Sequence, residues 1–273
     1  MNSSSSSRWR RPLVGVLLIV SLAIVGCATT TSSTGRRQYV GGVSQQELDQ
    51  LGTKAFAETK QKEKLSQDAR QNAYVRCVVN DLVAQLPAQQ RAVAWETALF
   101  QNDEPNAFAL PGGKVGVYTG IFKVAKTQDQ LAAVLAHEIG HVVERHHDER
   151  ITRQMGASGA VSLLGALAGD YGQLASQGGS LLAQTGFLLP GSRAQESEAD
   201  VVGQRLMAQA GFDPAQAVNL WQNMISAGGE RPPQWLSTHP DPSSRIRELQ
   251  SRAASLEPVY AQARAAGRKP TCG

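Results

Sequence analysis

The chain has 273 residues, 41% hydrophobic and 18% charged, which suits one large domain or two small ones with a sizeable core. Its formal net charge is +4, but residues 1–26 carry three arginines and no acid, so the charge of the remainder falls to +1. The basic composition therefore gives no support to nucleic-acid binding, and we predict no nucleic-acid partner.

The N-terminus has the pattern of a bacterial export signal. Residues 1–11 are polar and basic, and residues 13–26 form an apolar run that is short for a membrane-spanning helix. The run ends in I-V-G-C, which resembles a lipobox, where a cysteine is lipidated and becomes N-terminal after cleavage. We predict a signal peptide at 1–26 and lipid on Cys27; a plain anchor helix is the alternative. Ala28, in place of aspartate, favours the outer membrane of a Gram-negative bacterium.

The mature chain is predicted to begin with a tether and two helices. Residues 27–42 comprise the lipidated cysteine and a Ser/Thr/Gly-rich stretch, which predicts a flexible connection to the membrane. Ser44 and Glu47 fit a capping box, which opens a helix to about residue 64. A second helix is predicted over about residues 67–86 from its apolar spacing.

A small sheet is predicted next, just before a buried helix. Residues 93–100, 108–110 and 115–118 fit short strands, the last two joined by a P-G-G turn. Thr127 caps the following helix, which contains L-A-H-E-I-G-H. Basic side chains predicted to lie as charges at the negative C-terminal end of this helix are Arg145, His146, His147 and Arg150.

The C-terminal half is predicted to be helical. The Gly/Ala/Leu-rich residues 155–190 indicate mobile helices near the active site rather than membrane insertion, because apolar stretches there are short. Helices follow at about 193–210, 214–227 and 242–256, with a Pro-rich loop at 228–240. Residues 257–273 are predicted to be an irregular tail.

Two cysteines remain once Cys27 carries lipid. Cys77 and Cys272 form an even pair in an oxidising compartment, which suits a disulfide between the tail and the second helix. Two unpaired thiols are the alternative, because sequence alone gives no distance between them.

The motif L-A-H-E-I-G-H predicts a metal site. His137 and His141 are four residues apart, so on a helix they share one face and can hold one Zn²⁺. Glu138 can then take a proton from the water that zinc activates. The alternative is two buried histidines satisfied by hydrogen bonds, because the short motif is only moderately specific.

A later acidic motif, E-S-E-A-D, supplies the third ligand that catalytic zinc requires. Glu196 and Asp200 are again four apart and share a helical face. Glu196 is predicted to bind zinc, and Asp200 to accept a hydrogen bond from a ligand histidine and fix its tautomer. Glu198 points elsewhere and is predicted to be a solvated charge.

These two motifs, together with N-A-F-A-L-P-G-G and S-T-H-P-D-P-S-S-R-I, resemble the HtpX and CaaX-prenyl-protease type of gluzincin metallopeptidase over about residues 75–252. The layout is most similar to periplasmic, lipid-anchored members. The resemblance implies an α+β, mainly α-helical fold with a small β-sheet beside the H-E-x-x-H helix. It supports zinc ligands His137, His141 and Glu196 with Glu138 as general base. It also implies an edge strand that receives extended substrate, formed by Asn106, Ala107, Phe108, Ala109 and Leu110.

The resemblance also implies that His239 lies near the site. It could stabilise a transition-state oxyanion, occupy the fourth zinc position at rest, or be a loop histidine satisfied by the backbone. Arg245 is predicted to support the same region.

We therefore predict one zinc metallopeptidase domain at residues 43–256, followed by the tail at 257–273. The predicted activity is zinc-dependent cleavage of misfolded or damaged envelope proteins in the periplasm. Predicted partners are unfolded envelope proteins, the membrane through lipid on Cys27, and the envelope assembly machinery. The alternative is a self-inhibited chaperone or assembly factor that keeps the fold and rarely cleaves.

Overall fold

The computed structural model describes residues 28–156, 191–227, 235–236, 239 and 242–273. The predicted signal peptide, Cys27 and residues 157–190 of the glycine-rich region lie outside these residues. Within the described ranges, no helix is both long and apolar enough to cross a membrane. The prediction of a mainly helical α+β fold with small sheets is confirmed.

The predicted flexible tether is wrong for residues 28–40, which form an antiparallel hairpin. Strand β1 (Ala28–Thr31) pairs with β2 (Arg37–Val40), with Thr31 opposite Arg37. Gln38 and Val40 are each only 2% exposed, and the Gln38 side chain donates a hydrogen bond to the Glu144 carbonyl at 2.6 Å. Buried contacts of this kind order the segment, and its composition alone did not reveal them.

Helix α1 (Gln45–Lys62) begins at the predicted capping box. The Ser44 hydroxyl accepts from the Glu47 amide at 3.2 Å, and the Glu47 carboxylate accepts from the Ser44 amide at 2.9 Å. Helix α2 (Ala69–Val83) is capped by Asp68 and is followed by the short helix α3 (Ala88–Arg91). These helices bury apolar faces, for example Phe56 of α1 and Leu82 of α2.

A three-stranded sheet contains β3 (Glu96–Phe100), β4 (Ala107–Leu110) and β5 (Lys114–Tyr118). The spatial order is β3-β5-β4, with β5 parallel to β3 and antiparallel to β4. The predicted hairpin is therefore present, and its turn uses Gly112 and Gly113 at φ of 77° and 71°. Strand β4 lies at an edge of the sheet and packs against the helix that carries the histidine motif.

That helix, α4 (Gln128–Val143), begins at Thr127, whose hydroxyl accepts from the Gln130 amide at 3.2 Å. It ends earlier than predicted, because residues 144–145 form a turn in which Arg145 has a φ of 54°. A separate helix, α5, then runs through residues 146–156. His146 and His147 therefore begin a new helix and do not lie at the end of α4.

The C-terminal helices are α6 (Arg193–Ala210), α7 (Gln216–Ala227) and α8 (Pro242–Ala265). Helix α6 ends at Gly211, which has the left-handed φ of 86°. Helix α8 continues through Pro258 to residue 265, so the prediction of an irregular tail from residue 257 is wrong. Ala263 is fully buried, and this packing keeps the last turns helical despite the proline.

The core centres on α4, which packs most extensively against α6. The two helices approach closely where they carry glycines: a Cβ at Gly140 would lie 3.0 Å from the Ala199 carbonyl, and one at Gly203 would lie 3.0 Å from the His137 amide. This close crossing places the histidine face of α4 opposite the acidic face of α6.

The disulfide alternative for the two remaining cysteines is confirmed. Cys77 of α2 is bonded to Cys272, with a Cα–Cα distance of 5.5 Å and a sequence separation of 195. The bond fixes the C-terminal segment beside the start of α4, where the Gln128 side chain donates to the Pro270 carbonyl and accepts from the Cys272 amide. A cross-link of this span stabilises the fold mainly by restricting the unfolded chain.

Candidate active site

Helices α4 and α6 bring the predicted zinc ligands together. The Nε2 atoms of His137 and His141 are 3.1 Å apart. Glu196 faces both, with Oε2 at 3.3 Å from His137 Nε2 and Oε1 at 3.5 Å from His141 Nε2. All three side chains are almost completely buried. Their convergence follows from helical spacing within each motif and from the close crossing of the helices.

His239 joins this group from the C-terminal loop. Its Nδ1 lies 2.8 Å from Glu196 Oε2 and 3.1 Å from His137 Nε2. The ligand atoms of His137, His141, Glu196 and His239 all lie within 4.8 Å of one another. The structure therefore places His239 as a fourth donor toward the same point, rather than as a loop histidine whose side chain is satisfied by the backbone.

Outside the cluster, Asp200 orients His137. Asp200 Oδ1 lies 3.0 Å from His137 Nδ1, and a carboxylate only accepts, so Nδ1 carries the proton. His137 Nε2 can then present a lone pair toward the cluster. Asp200 thus lies where the sequence motif predicted it.

The residues fit a bound cation. Glu196 Oε1 is buried without a hydrogen-bond partner in the described part of the chain, and leaving a carboxylate oxygen in that state is costly. Three imidazole groups and one carboxylate also match the ligand chemistry of divalent transition metals. The residues that could hold the metal are His137, His141, Glu196 and His239.

The charge states agree with a cation site. Burial raises the pKa of Glu196, but electrostatic interactions with His239 and His141 and hydrogen bonds to His137 and His239 outweigh it and hold that pKa well below its ordinary value. Burial lowers the pKa of His137, but hydrogen bonds to Asp200 and Glu196 reverse this and raise the pKa to about 9. Glu196 therefore carries a negative charge toward the cluster, which suits a bound cation.

Glu138, the predicted general base, is buried at the edge of the cluster. Its Oε1 accepts a hydrogen bond from Trp235 Nε1 at 2.8 Å and lies 3.3 Å from His239 Nε2. Trp235 is about 1% exposed and also contacts the His137 and His239 rings. Trp235 was not among the predicted site residues, and only its position four residues before His239 could have indicated a role there.

Arg245 neutralises the acidic side of the site. Its guanidinium binds both oxygens of Asp200, each at 2.7 Å, and Nη1 lies 3.0 Å from Glu196 Oε2. Its Cζ is 4.0 Å from the centroid of the Trp221 ring. These contacts define the predicted supporting role, because Arg245 holds the carboxylates of Asp200 and Glu196 in place.

Glu198, His146 and His147 differ from their predicted surface roles. Glu198 is 3% exposed and accepts from His146 Nε2 at 2.9 Å, so it is not a solvated charge. His146 Nδ1 lies 2.8 Å from His141 Nδ1. Burial lowers the pKa of both His146 and His147, so neither is a helix-end cation. The turn at 144–145 causes the difference, because it directs the start of α5 back toward α4.

The predicted docking strand packs against α4, the helix that carries His137 and His141. Residues 107–110 form the edge strand β4, and no strand pairs with its outer edge among the described residues. Ala107, Ala109 and Leu110 are buried, and the Asn106 carbonyl accepts from the Tyr118 amide at 3.0 Å. Substrate binding at Asn106 to Leu110 stays a prediction.

The histidine helix, the facing glutamate and the small sheet define a metallopeptidase of the gluzincin type. The chain belongs to Peptidase family M48, which matches residues 69–253. Members of this family depend on a metal, in agreement with the donor cluster.

The chain is similar to three proteins that are named as proteases. Mitochondrial metalloendopeptidase OMA1 of Schizosaccharomyces pombe is 44% identical over 158 residues, covering 57% of this chain and 46% of OMA1. The β-barrel assembly-enhancing protease of Escherichia coli K12 is 33% identical over 172 residues, covering 60% of this chain and 35% of that protein. OMA1 of Saccharomyces cerevisiae is 32% identical over 179 residues, with coverage of 62% and 50%. The chain thus spans half or less of each relative's length.

Proposed function

We propose that this metallopeptidase is a zinc-dependent endopeptidase of the bacterial cell envelope that degrades misfolded or damaged proteins. The observation that carries the proposal is the buried donor cluster of His137, His141, Glu196 and His239 beside the Glu138 carboxylate. A zinc ion held there would polarise the scissile carbonyl and lower the pKa of the attacking water.

The chain's own residues supply the remaining steps. Glu138 takes the proton from the attacking water and passes it to the leaving amine, while Trp235 Nε1 keeps its carboxylate oriented. Asp200 and Arg245 hold His137 and Glu196 in position. The outer edge of β4 binds the substrate in an extended conformation, which suits unfolded proteins.

Zinc content and its removal test this proposal. We expect the purified mature protein to bind about one zinc per chain and to cleave an unfolded protein, because one donor cluster suits one ion. A chelator should abolish cleavage, and added zinc should restore it. Metal analysis and gel assays of an unfolded substrate measure both properties. Undiminished cleavage after verified metal removal would contradict the proposal.

The cellular setting is a further part of the proposal. The export signal and the lipobox-like I-V-G-C favour a periplasmic protein anchored through lipid on Cys27, with Ala28 favouring the outer membrane. The periplasmic lipoprotein layout within the HtpX and CaaX-prenyl-protease type agrees with this setting. The name of the E. coli relative, β-barrel assembly-enhancing protease, supports a role beside the envelope assembly machinery. Mass spectrometry of the membrane-bound protein would detect lipid on Cys27.

A self-inhibited protease is the second candidate, and His239 is the observation that favours it. Its Nδ1 points into the donor cluster, where it would complete four protein ligands and leave no position for water. We expect His239→Ala to raise the initial rate of cleavage, about tenfold for each 1.4 kcal/mol by which ligation by His239 stabilises the resting state. Initial rates at equal zinc content measure this effect. A lower rate would instead indicate that His239 stabilises the oxyanion.

A further inference from the structure

A second network of buried hydrogen bonds begins at His141, on the side of its ring that faces away from the donor cluster. The ring nitrogen of His141 that faces away from the cluster, Nδ1, lies 2.8 Å from His146 Nδ1. The opposite nitrogen of His146, Nε2, lies 2.9 Å from Glu198 Oε2. His146 and Glu198 are nearly inaccessible to solvent. Glu198 is therefore linked to His141 through His146, whereas Asp200 contacts His137 directly.

The N-terminal hairpin binds Glu198, the last residue of this hydrogen-bond network. Arg36, between β1 and β2, donates to Glu198 Oε2 from Nε at 2.9 Å and from Nη2 at 2.7 Å. The same guanidinium binds Glu149 of α5 through two further hydrogen bonds, at 2.9 and 2.8 Å. Thr34 donates to the other oxygen of Glu198. Two hairpin side chains thus fix both oxygens of one buried carboxylate.

The hairpin also fixes the turn that positions His146. The amide of Ser33 donates to Glu144 Oε2 at 3.0 Å, and Gln38 donates to the Glu144 carbonyl. Glu144 and Arg145 form the turn between α4 and α5, directly before His146. Hairpin residues therefore bind Glu144, which lies between His141 and His146 in sequence, and Glu198, which contacts His146.

From this geometry we propose that the N-terminal hairpin positions the metal ligand His141, with Arg36, Glu198 and His146 as positioning residues. The proposal rests on the zinc site of the proposed function. Arg36 precedes residues 69–253, so the proposed support for the metal site comes from a segment outside the family match. It also gives the residues directly after Cys27 a role in the site.

The physical basis is the tautomer of His141. The Glu198 carboxylate only accepts, so His146 Nε2 carries a proton and donates it. When His141 Nε2 binds a metal, the proton of its ring lies on Nδ1, which donates to His146 Nδ1. His141 Nε2 is left with its lone pair directed at the donor cluster. A weaker acceptor at Glu198 would loosen this arrangement and weaken metal binding by His141 Nε2.

Glu198→Gln tests this hydrogen-bond network without changing the size of the side chain. The amide is neutral and accepts more weakly than the carboxylate from His146 Nε2 and Arg36, so it weakens the support behind His141. We expect zinc affinity, measured by chelator competition on the full mature chain, to fall by about 10- to 100-fold, the usual effect of losing such a support. The absorption spectrum of the cobalt-substituted protein should also change, because the coordination of the metal changes.

Arg36→Ala tests the hairpin, and Arg37→Ala is its matched control. Arg37 is the adjacent arginine and is exposed. We expect Arg36→Ala to weaken zinc binding and Arg37→Ala to leave both zinc affinity and the cobalt spectrum as in the wild type. Thr34→Val, which removes one hydrogen bond to Glu198, provides a milder variant should the others fold poorly.

Thermal unfolding of each metal-free variant separates positioning from simple stabilisation. Lower melting temperatures for Glu198→Gln and Arg36→Ala with wild-type zinc affinity and cobalt spectra would overturn the inference, while leaving the proposed protease intact. A wild-type chain that binds no zinc would instead overturn the proposed function itself. Weaker zinc binding by folded Glu198→Gln and Arg36→Ala, with Arg37→Ala unaffected, supports the hairpin's role.

Discussion

Glu138→Gln is expected to lower kcat/KM for cleavage of an unfolded protein by about 10²- to 10⁴-fold, the usual contribution of a general base. The substitution keeps the size of the side chain, and its amide oxygen can still accept from Trp235 Nε1. An amide cannot take a proton from water, however, so the proton-transfer step is lost. Zinc content should stay at about one ion per chain, because Glu138 is not among the four converging donors.

The control is Glu257→Gln, the same change at an exposed carboxylate of α8, which should cleave like the wild type. Equal cleavage by Glu138→Gln and the wild type would contradict the proposed mechanism. If neither protein cleaves while both bind zinc, the self-inhibited reading of His239 gains support. Kinetics and metal content measured on the same preparations distinguish these results.

The parts of the site that the sequence predicted are those set by local helical geometry. His137 and His141, and likewise Glu196 and Asp200, are four residues apart, and an α-helix places such pairs on one face. The cap at Thr127 and the end at Gly211 are also local signals. Each pattern depends on a few adjacent residues, so it could be recognised without knowing the rest of the fold.

The parts that were missed depend on contacts between distant segments. Glu198 looked like a surface charge because its partners, Arg36 and His146, lie 162 and 52 residues away in sequence. The partner of Trp235 is Glu138, at a separation of 97 residues. The local pattern around neither residue indicates its partner, so only the tertiary structure could identify these contacts.

Two errors of secondary structure have a similar origin. Residues 28–40 have the composition of a linker, but the burial of Gln38 and Val40 against the rest of the protein orders them as a hairpin. The last helix was predicted to end at about residue 256, but packing of the last turns carries α8 through Pro258 to residue 265. In both cases tertiary burial outweighs the local preference of the sequence.

Arg245→Ala is expected to have the largest effect on stability, lowering the free energy of unfolding of the metal-free protein by about 3–5 kcal/mol. The change leaves the buried carboxylates of Asp200 and Glu196 without their arginine partner and removes the guanidinium from the Trp221 ring. Urea denaturation at neutral pH measures the loss. Arg247→Ala, at an exposed position of the same helix, is the control and should change stability by under about 0.5 kcal/mol.

The pH dependence identifies the cause of that loss. Burial raises the pKa of Asp200, but the charge of Arg245 and hydrogen bonds from His137 and Arg245 lower it from 3.8 to about 2. A carboxylate whose pKa is depressed in the folded protein stabilises the fold while it is ionised. This contribution is full above pH 3.8 and disappears as the pH falls toward 2. The difference between wild type and Arg245→Ala should therefore be full at pH 5 and above, and shrink below about pH 4. A difference that stays constant from neutral pH into this acidic range would indicate lost packing against Trp221 rather than lost charge pairing.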